Sequence, residues 1–263
     1  MAERNVLPLA DFYQGRILNF AHRGARERAP ENTIPAFVSA ADLGADGVEL
    51  DVHLSADGVV VVMHDADVAT TTDGTGRITG MDLAEIKLLD AGSSFDPSFA
   101  GTVVPTLDEV FEAVAGRLLF NIELKTVALG TRGYNRLLAH AVALCLEHHN
   151  LVDQTICSSF NPFVLRALRI RLPRLALGYL YAPDLPAPLA KGWLARPIIG
   201  KHEARHPHYS MVEEGYVHWA RKHAYRINVW TVNEIEDIRR MRDLSVDALI
   251  SDRPELVREV LQG

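Results

Sequence analysis

Cysteine is nearly absent from this chain: Cys145 and Cys157 are the only two in 263 residues. Two thiols can build neither a cysteine metal cluster nor a disulfide framework, so both read as buried, reduced side chains and stability must come from a packed core. Positive charge is also short. Lysine and arginine total 27 against 34 aspartates and glutamates, which leaves a formal net charge of −7 and a pI near 5.9. That balance excludes the broad basic footprint of a nucleic-acid binder, while a small cationic pocket could still hold one phosphate. Long apolar runs are missing too. Val59 to Met63 is far too short to span a bilayer, and Met1 to Arg16 has no apolar stretch behind a basic start. A soluble, cytosolic protein without stable membrane insertion is expected, and nothing in the sequence decides against a homo-oligomer.

What is present is 48% hydrophobic content in a chain long enough to bury a large core, and residues 1–263 read as one domain. The apolar pattern switches between short β-rich runs and longer helical stretches, as in βα units around a parallel sheet. Strands are expected around Ile17 to Ala21, Gly47 to Val52, Leu118 to Ile122, Thr155 to Ser158, Leu175 to Leu180, Pro197 to Ile199, Ile227 to Trp230 and Ala248 to Ile250. Helices follow them. Ile34 to Leu43 opens after Asn32-Thr33 with Pro35 in its first turn and stops before Gly44; Tyr134 to His148 and Phe163 to Arg171 repeat the pattern. Eight such alternations favour a (β/α)8 barrel of the TIM type.

One stretch breaks the alternation. Asp57-Gly58 reads as a hairpin tip leading into Val59 to Met63, and helical periodicity returns only at Leu107. A small subdomain is therefore expected as an insertion between the second strand and its helix, at about residues 53–105. An insertion of this size at a barrel loop usually caps or shapes a site.

The residues able to do chemistry cluster at the ends of these strands. Glu49 and Asp51 are two apart on a strand and share a face. Two carboxylates facing into a barrel repel one another unless a cation sits between them. With Glu123 ending the next strand, three oxygen ligands converge, and oxygen-only ligation suits one divalent Mg²⁺ or Ca²⁺ better than Zn²⁺. His22 and His64 each follow an apolar run; a pair of imidazoles can take a proton from a nucleophile and protonate a leaving oxygen. Arg23, followed by Gly24, offers a planar fork that matches phosphate oxygens, and Lys125 supplies a second positive charge on the face of Glu123. Trp230 could wall a substrate pocket, with Ser159 and Phe160 as weaker candidate contacts. His202, His206 and His208 match no metal-ligand spacing and read as part of a solvated loop. A metal-dependent phosphodiesterase is the chemistry that these groups suggest.

The ordered set His22-Arg23-Gly24, Ala29 to Thr33, Gly44 to Val52, Asp57-Gly58 leading to His64-Asp65, Asn121 to Lys125, Trp230 to Asn233 and Ser251 to Pro254 resembles the glycerophosphodiester phosphodiesterase family over nearly the whole chain. The resemblance implies a barrel with a small inserted subdomain, a divalent metal on Glu49, Asp51 and Glu123, His22 and His64 as the acid/base pair, and Arg23 and Lys125 on the phosphate. It also implies glycerophosphodiester substrates, such as glycerophosphocholine, cleaved to sn-glycerol 3-phosphate and an alcohol, hence a role in lipid and glycerol metabolism. Two alternatives stand beside it: a related barrel lyase that stops at a cyclic phosphate, and a non-catalytic phosphodiester-binding protein. A metallohydrolase barrel of another kind is disfavoured because the first strand lacks a His-x-His pair.

Overall fold

The computed structural model describes residues 9–126, 131–185 and 195–263. The start of the Met1 to Arg16 segment, and part of the stretch between the fifth strand and the expected sixth, lie outside them. The β-rich runs pair in parallel as β1 (Leu18–His22), β2 (Gly47–Leu54), β4 (Leu119–Leu124), β5 (Thr155–Ser159), β6 (Ala176–Tyr181), β7 (Ala204–Pro207), β8 (Arg226–Val229) and β9 (Ala248–Ser251). Each pairs with the next around the ring, and β9 and β2 both pair with β1, which closes an eight-stranded (β/α)8 barrel. The remaining strand, β3 (Val60–Val62), lies antiparallel on β2.

Closure follows from the two-residue period of a strand. On β2 every residue is buried: Val48, Leu50 and Val52 turn outward to the helices, while Glu49 and Asp51 turn into the barrel. The helix Ile34–Asp42 begins at Thr33 with proline in its first turn, Arg132–His148 packs Leu138, Val142 and Leu146 inward, and Pro162–Arg171 is capped by the Asn161 side chain, which accepts from Phe163 N. Leu107–Val114 opens with a Thr106/Glu109 capping box. The barrel floor is apolar. Leu18, Phe20, Ile156, Ala176, Ala204, Ala248 and Ile250 fill it, and Phe12 and Tyr13 of the short helix Leu9–Tyr13 close it from below.

Between β3 and Leu107 the chain winds through short 3₁₀ turns and the helix Leu83–Ile86. This segment has its own small core of Val61, Met63, Val68, Ile78, Ile86, Ala91 and Val104. No helix among the described residues is long and apolar enough to cross a membrane.

Three expectations need correction. Pro197 to Ile199 is not a strand but part of the helix Ala195–Ile199, whose apolar face joins the main core; the strand is Ala204–Pro207. Its polar side chains are sheltered by neighbouring elements of the fold. His206 points inward and meets the Asn228 amide at 3.1 Å, while Arg205 lies over the rings of Tyr181, Trp219 and Tyr225. Consequently His202 and His206 are buried rather than part of a solvated loop, and only His208 is partly exposed. Gly178 makes room for the imidazole: a Cβ there would collide with the His206 ring. Third, Cys157 is buried but Cys145 only half so, with its Sγ 3.6 Å from Asp108. Burial and the nearby Asp108 charge push the Cys145 thiol up to about 12, so it stays protonated and inert.

Candidate active site

Strand register assembles the site at the C-terminal mouth of the barrel. His22 stands beside Glu49 across the β1–β2 pair, and Asp51 beside Glu123 across β2–β4. All three carboxylates are buried, and one oxygen from each lies within 4.8 Å of the other two. Lys125, just past the end of β4, reaches back with Nζ 3.0 Å from Asp51 and 2.9 Å from Glu123. Arg23 adds its Nε at 3.5 Å from Asp51, and its backbone N–H donates to Glu49 at 3.2 Å.

The local chain is shaped for this. Arg23 and Gly24 both adopt positive φ, so the chain turns back sharply after β1 and aims the Arg23 N–H at Glu49. Gly24 is required by close approach as well as by φ, because a Cβ would sit 2.8 Å from the backbone of Ala36. Asn32 then clamps Asp51 from both sides: its amide donates to Oδ2 at 2.9 Å and its carbonyl accepts from Asp51 N.

The acids do not share the burden evenly. Burial and the charges of Asp51 and Glu123 push the Glu49 carboxyl well above its ordinary range. Burial also raises Glu123, against the pull of Lys125. Asp51 falls below the usual carboxylate range despite burial, because Lys125 and Arg23 lie against it. Three buried acids therefore face two cations, and one of these, Arg23, is also paired with Glu31 at 2.9 Å. A hard divalent ion fits this donor set: the three oxygens converge, the group that could hold an ion among the described residues contains carboxylates alone, and added positive charge relieves Glu49.

Each histidine has one ring nitrogen tied to a carboxylate. His22 Nδ1 lies 2.7 Å from Asp252, leaving Nε2 on the side of the acidic cluster, 3.9 Å from Glu49. His64 Nδ1 lies 3.1 Å from Asp65. Burial and the nearby Lys125 and Arg23 charges hold the His64 imidazole below its ordinary pKa, which favours the neutral, proton-accepting form. Asp252 is itself fixed by Asn233, whose amide donates to Oδ2 at 2.6 Å. Arg26 approaches the same group at 3.7 Å and pairs with Glu31 at 2.5 Å.

Trp230 follows β8 at the mouth. Its indole N–H donates to His206 O at 2.8 Å, Phe160 and His208 meet it edge-on, and together they wall a cavity of about 450 Å³ beside Asp184. Ser159 is not a wall residue: it is buried, and its hydroxyl donates to Leu124 O of the neighbouring strand β4. Asp252, Asn233, Glu31, Asn32 and Arg26 were not singled out by side-chain type. For four of them the signal was present as position, since Glu31 and Asn32 lie inside the Ala29–Thr33 motif, Asn233 inside Trp230–Asn233 and Asp252 inside Ser251–Pro254, whereas Arg26 falls between two motifs.

Comparison with known proteins follows the same outline. The sequence model described as the glycerophosphoryl diester phosphodiesterase family matches residues 22–256. A glycerophosphodiester phosphodiesterase of Caldanaerobacter subterraneus subsp. tengcongensis is 39% identical over 250 residues, covering 94% of this chain and 99% of its own. An Oleispira antarctica phosphodiesterase, solved in complex with the product sn-glycerol-3-phosphate, is 30% identical with a TM-score of 0.85, covering 95% of this chain and 99% of that one. A glycerophosphodiester phosphodiesterase from Agrobacterium tumefaciens is 32% identical with a TM-score of 0.77, covering 93% and 99%.

Proposed function

Since the chain belongs to the glycerophosphoryl diester phosphodiesterase family, we propose that it is an enzyme that hydrolyses glycerophosphodiesters, such as glycerophosphocholine, to sn-glycerol 3-phosphate and the free alcohol. The observation that carries this reading is the convergence at one barrel mouth of three buried carboxylates with His22, Arg23 and Lys125 against them. Residues 1–263 act as a single catalytic domain, residues 53–105 being an insertion that brings His64 to the mouth. The reaction is placed in the cytoplasm.

Glu49, Asp51 and Glu123 would hold one divalent ion, Mg²⁺ or Ca²⁺, whose charge polarises the phosphoryl group and neutralises the negative charge that builds during cleavage. Arg23 and Lys125 bind the non-bridging phosphate oxygens and orient the diester. Of His22 and His64, one takes the proton of the attacking oxygen and the other protonates the leaving alcohol. Asp252 holds His22 through Nδ1, so that Nε2 is the nitrogen that exchanges protons. The attacking oxygen is either water or the glycerol 2-hydroxyl, whose attack from within the substrate gains from proximity and gives a cyclic phosphate that water then opens. Trp230 and Phe160 wall the pocket.

The deciding experiment is turnover of a panel of glycerophosphodiesters after chelation and after addition of Mg²⁺ or Ca²⁺, read as released glycerol 3-phosphate. Activity lost with EDTA and restored by the ion is expected. Full activity in the chelated protein would make the carboxylate trio structural. Phosphorus NMR showing a cyclic phosphate as the end product would replace the hydrolase with a lyase.

A further inference from the structure

A second concavity, outside the barrel mouth, takes no part in this chemistry. The helices Arg132–His148, Pro162–Arg171 and Ala195–Ile199 leave a groove of about 950 Å³ between them. Phe163, Ala167 and Ile170 give it an apolar lining, of which Ile170 is 72% exposed to water. Arg132, Arg136 and Arg166 border it, and no carboxylate lines it among the described residues. In a chain of net charge −7, such a patch is an exception.

These cations differ in how far they are already engaged. Arg171 is neutralised by Glu147 through two hydrogen bonds, and Arg166 donates to Ile198 O. Arg132 and Arg136 make no ion pair or side-chain hydrogen bond among the described residues. Between them on the helix lies Asn135, only 2% exposed, and neither its amide nitrogen nor its amide oxygen has a hydrogen-bond partner. A buried amide left unmet in this way costs free energy that a polar ligand atom would recover.

We propose that this groove binds an anionic single-chain amphiphile, its carboxylate or phosphate head against Arg132, Arg136 and Asn135 and its alkyl chain along Phe163, Ala167 and Ile170. Charge complementarity selects the head, and the apolar lining selects the tail. The class of reaction that must supply a glycerophosphodiester is hydrolysis of both acyl esters of a glycerophospholipid, and each ester cleaved with water yields one fatty carboxylate. That co-product has the chemistry of the groove. Its identification as the source rests on the function proposed above, whereas the groove does not.

Calorimetric titration of the full chain with decanoate below its micellar concentration tests the proposal, with decanol, inorganic phosphate and phosphatidylglycerol vesicles as the other arms. Saturable one-site binding of decanoate is expected. It should weaken about tenfold or more in Arg132→Ala/Arg136→Ala and in Ile170→Asp, consistent with loss of charge-assisted hydrogen bonds or apolar cover. Decanol and phosphate alone should bind at least about tenfold more weakly by the same reasoning. Both variants should keep the wild-type melting temperature and glycerophosphocholine turnover. Decanoate binding that is absent, or unmoved by both variants, overturns the proposal. So does equal binding of decanol, binding confined to vesicles, or a self-association that Ile170→Asp abolishes. If decanoate binds as expected while no glycerophosphodiester is turned over, the function reading fails and the groove stands.

Discussion

At the floor of the barrel, Leu18 and Phe20 of β1 meet Ala248 and Ile250 of β9 in an apolar layer closed by Phe12 and Tyr13; two residues further along β1, the same face carries His22 into a cluster of buried charge. One strand thus serves both ends. The floor holds mainly side chains that gain by leaving water, with the Tyr13 hydroxyl donating to Asn228, whereas the mouth holds Glu49, Asp51 and Glu123, which lose by it and are held there by Lys125, Arg23 and Asn32. The difference teaches that the floor stabilises the molecule and the mouth spends part of that stability to keep groups poised for chemistry.

The comparison predicts that the two ends fail differently. At the mouth, His22→Ala and His64→Ala should each lower turnover by about 10²–10⁴-fold, the usual worth of general acid–base help, with melting temperature unchanged. Near-wild-type rates in both variants would remove them from the mechanism. At the floor, Phe20→Ala should cost about 3–5 kcal/mol of stability in urea unfolding while leaving the rate per folded molecule intact. A lower rate without lost stability would erase the distinction between the ends.

Lys125 sharpens the contrast, because it belongs to the mouth yet neutralises two buried acids. Lys125→Met should destabilise the chelated protein by up to about 3 kcal/mol, and added Mg²⁺ or Ca²⁺ should raise its melting temperature more than that of the wild type. Equal shifts in the two proteins would show that the ion and the lysine do not share a task.

The pH dependence concerns the girdle between the ends. Burial holds His206 down to about 3 and His202 down to about 4. Asn228 Nδ2 donates to His206 Nε2, so a proton on that nitrogen would meet another donor. Since both folded-state values lie below the unfolded value of about 6.5, the unfolded chain takes up protons first. Their contribution to stability is complete above about pH 6.5 and falls by about 1.4 kcal/mol per pH unit for each histidine as the pH drops toward those values. Thermal melts from pH 7 to pH 5 should show this slope, and His206→Gln should remove one histidine's share of it. A wild-type slope unchanged in the variant would place the acid sensitivity elsewhere.

Much of this was legible in the sequence where a residue's role matched its local pattern. Glu49 and Asp51 announced a shared face by spacing, and the apolar runs around them fixed β2. The β7 strand was not legible, because the pattern that normally marks a strand was inverted. Arg205 is sheltered by aromatic rings and His206 by Asn228, partners that come from elements before and after it in the chain. The apolar Pro197 to Ile199 run, serving a helix instead, drew the expectation to itself. Asp252 illustrates a second limit. Its role follows from a contact with a residue 230 positions earlier, which no spacing within the motif could disclose.

That same contact ties readiness to the order of synthesis. His22 is in place on the first barrel strand, but the carboxylate that holds its ring follows the last one, and β1 gains its second neighbour only when β9 arrives. A nascent chain emerging from the ribosome can carry Glu49, Asp51, Glu123, both histidines, Arg23 and Lys125 and still lack the carboxylate that fixes the His22 imidazole. Folding from the N-terminus leaves the barrel open along one seam until β9 is released. The fixed His22 ring is thus withheld from partial products of translation, and a protease that clips the final strand would release that ring without touching either histidine.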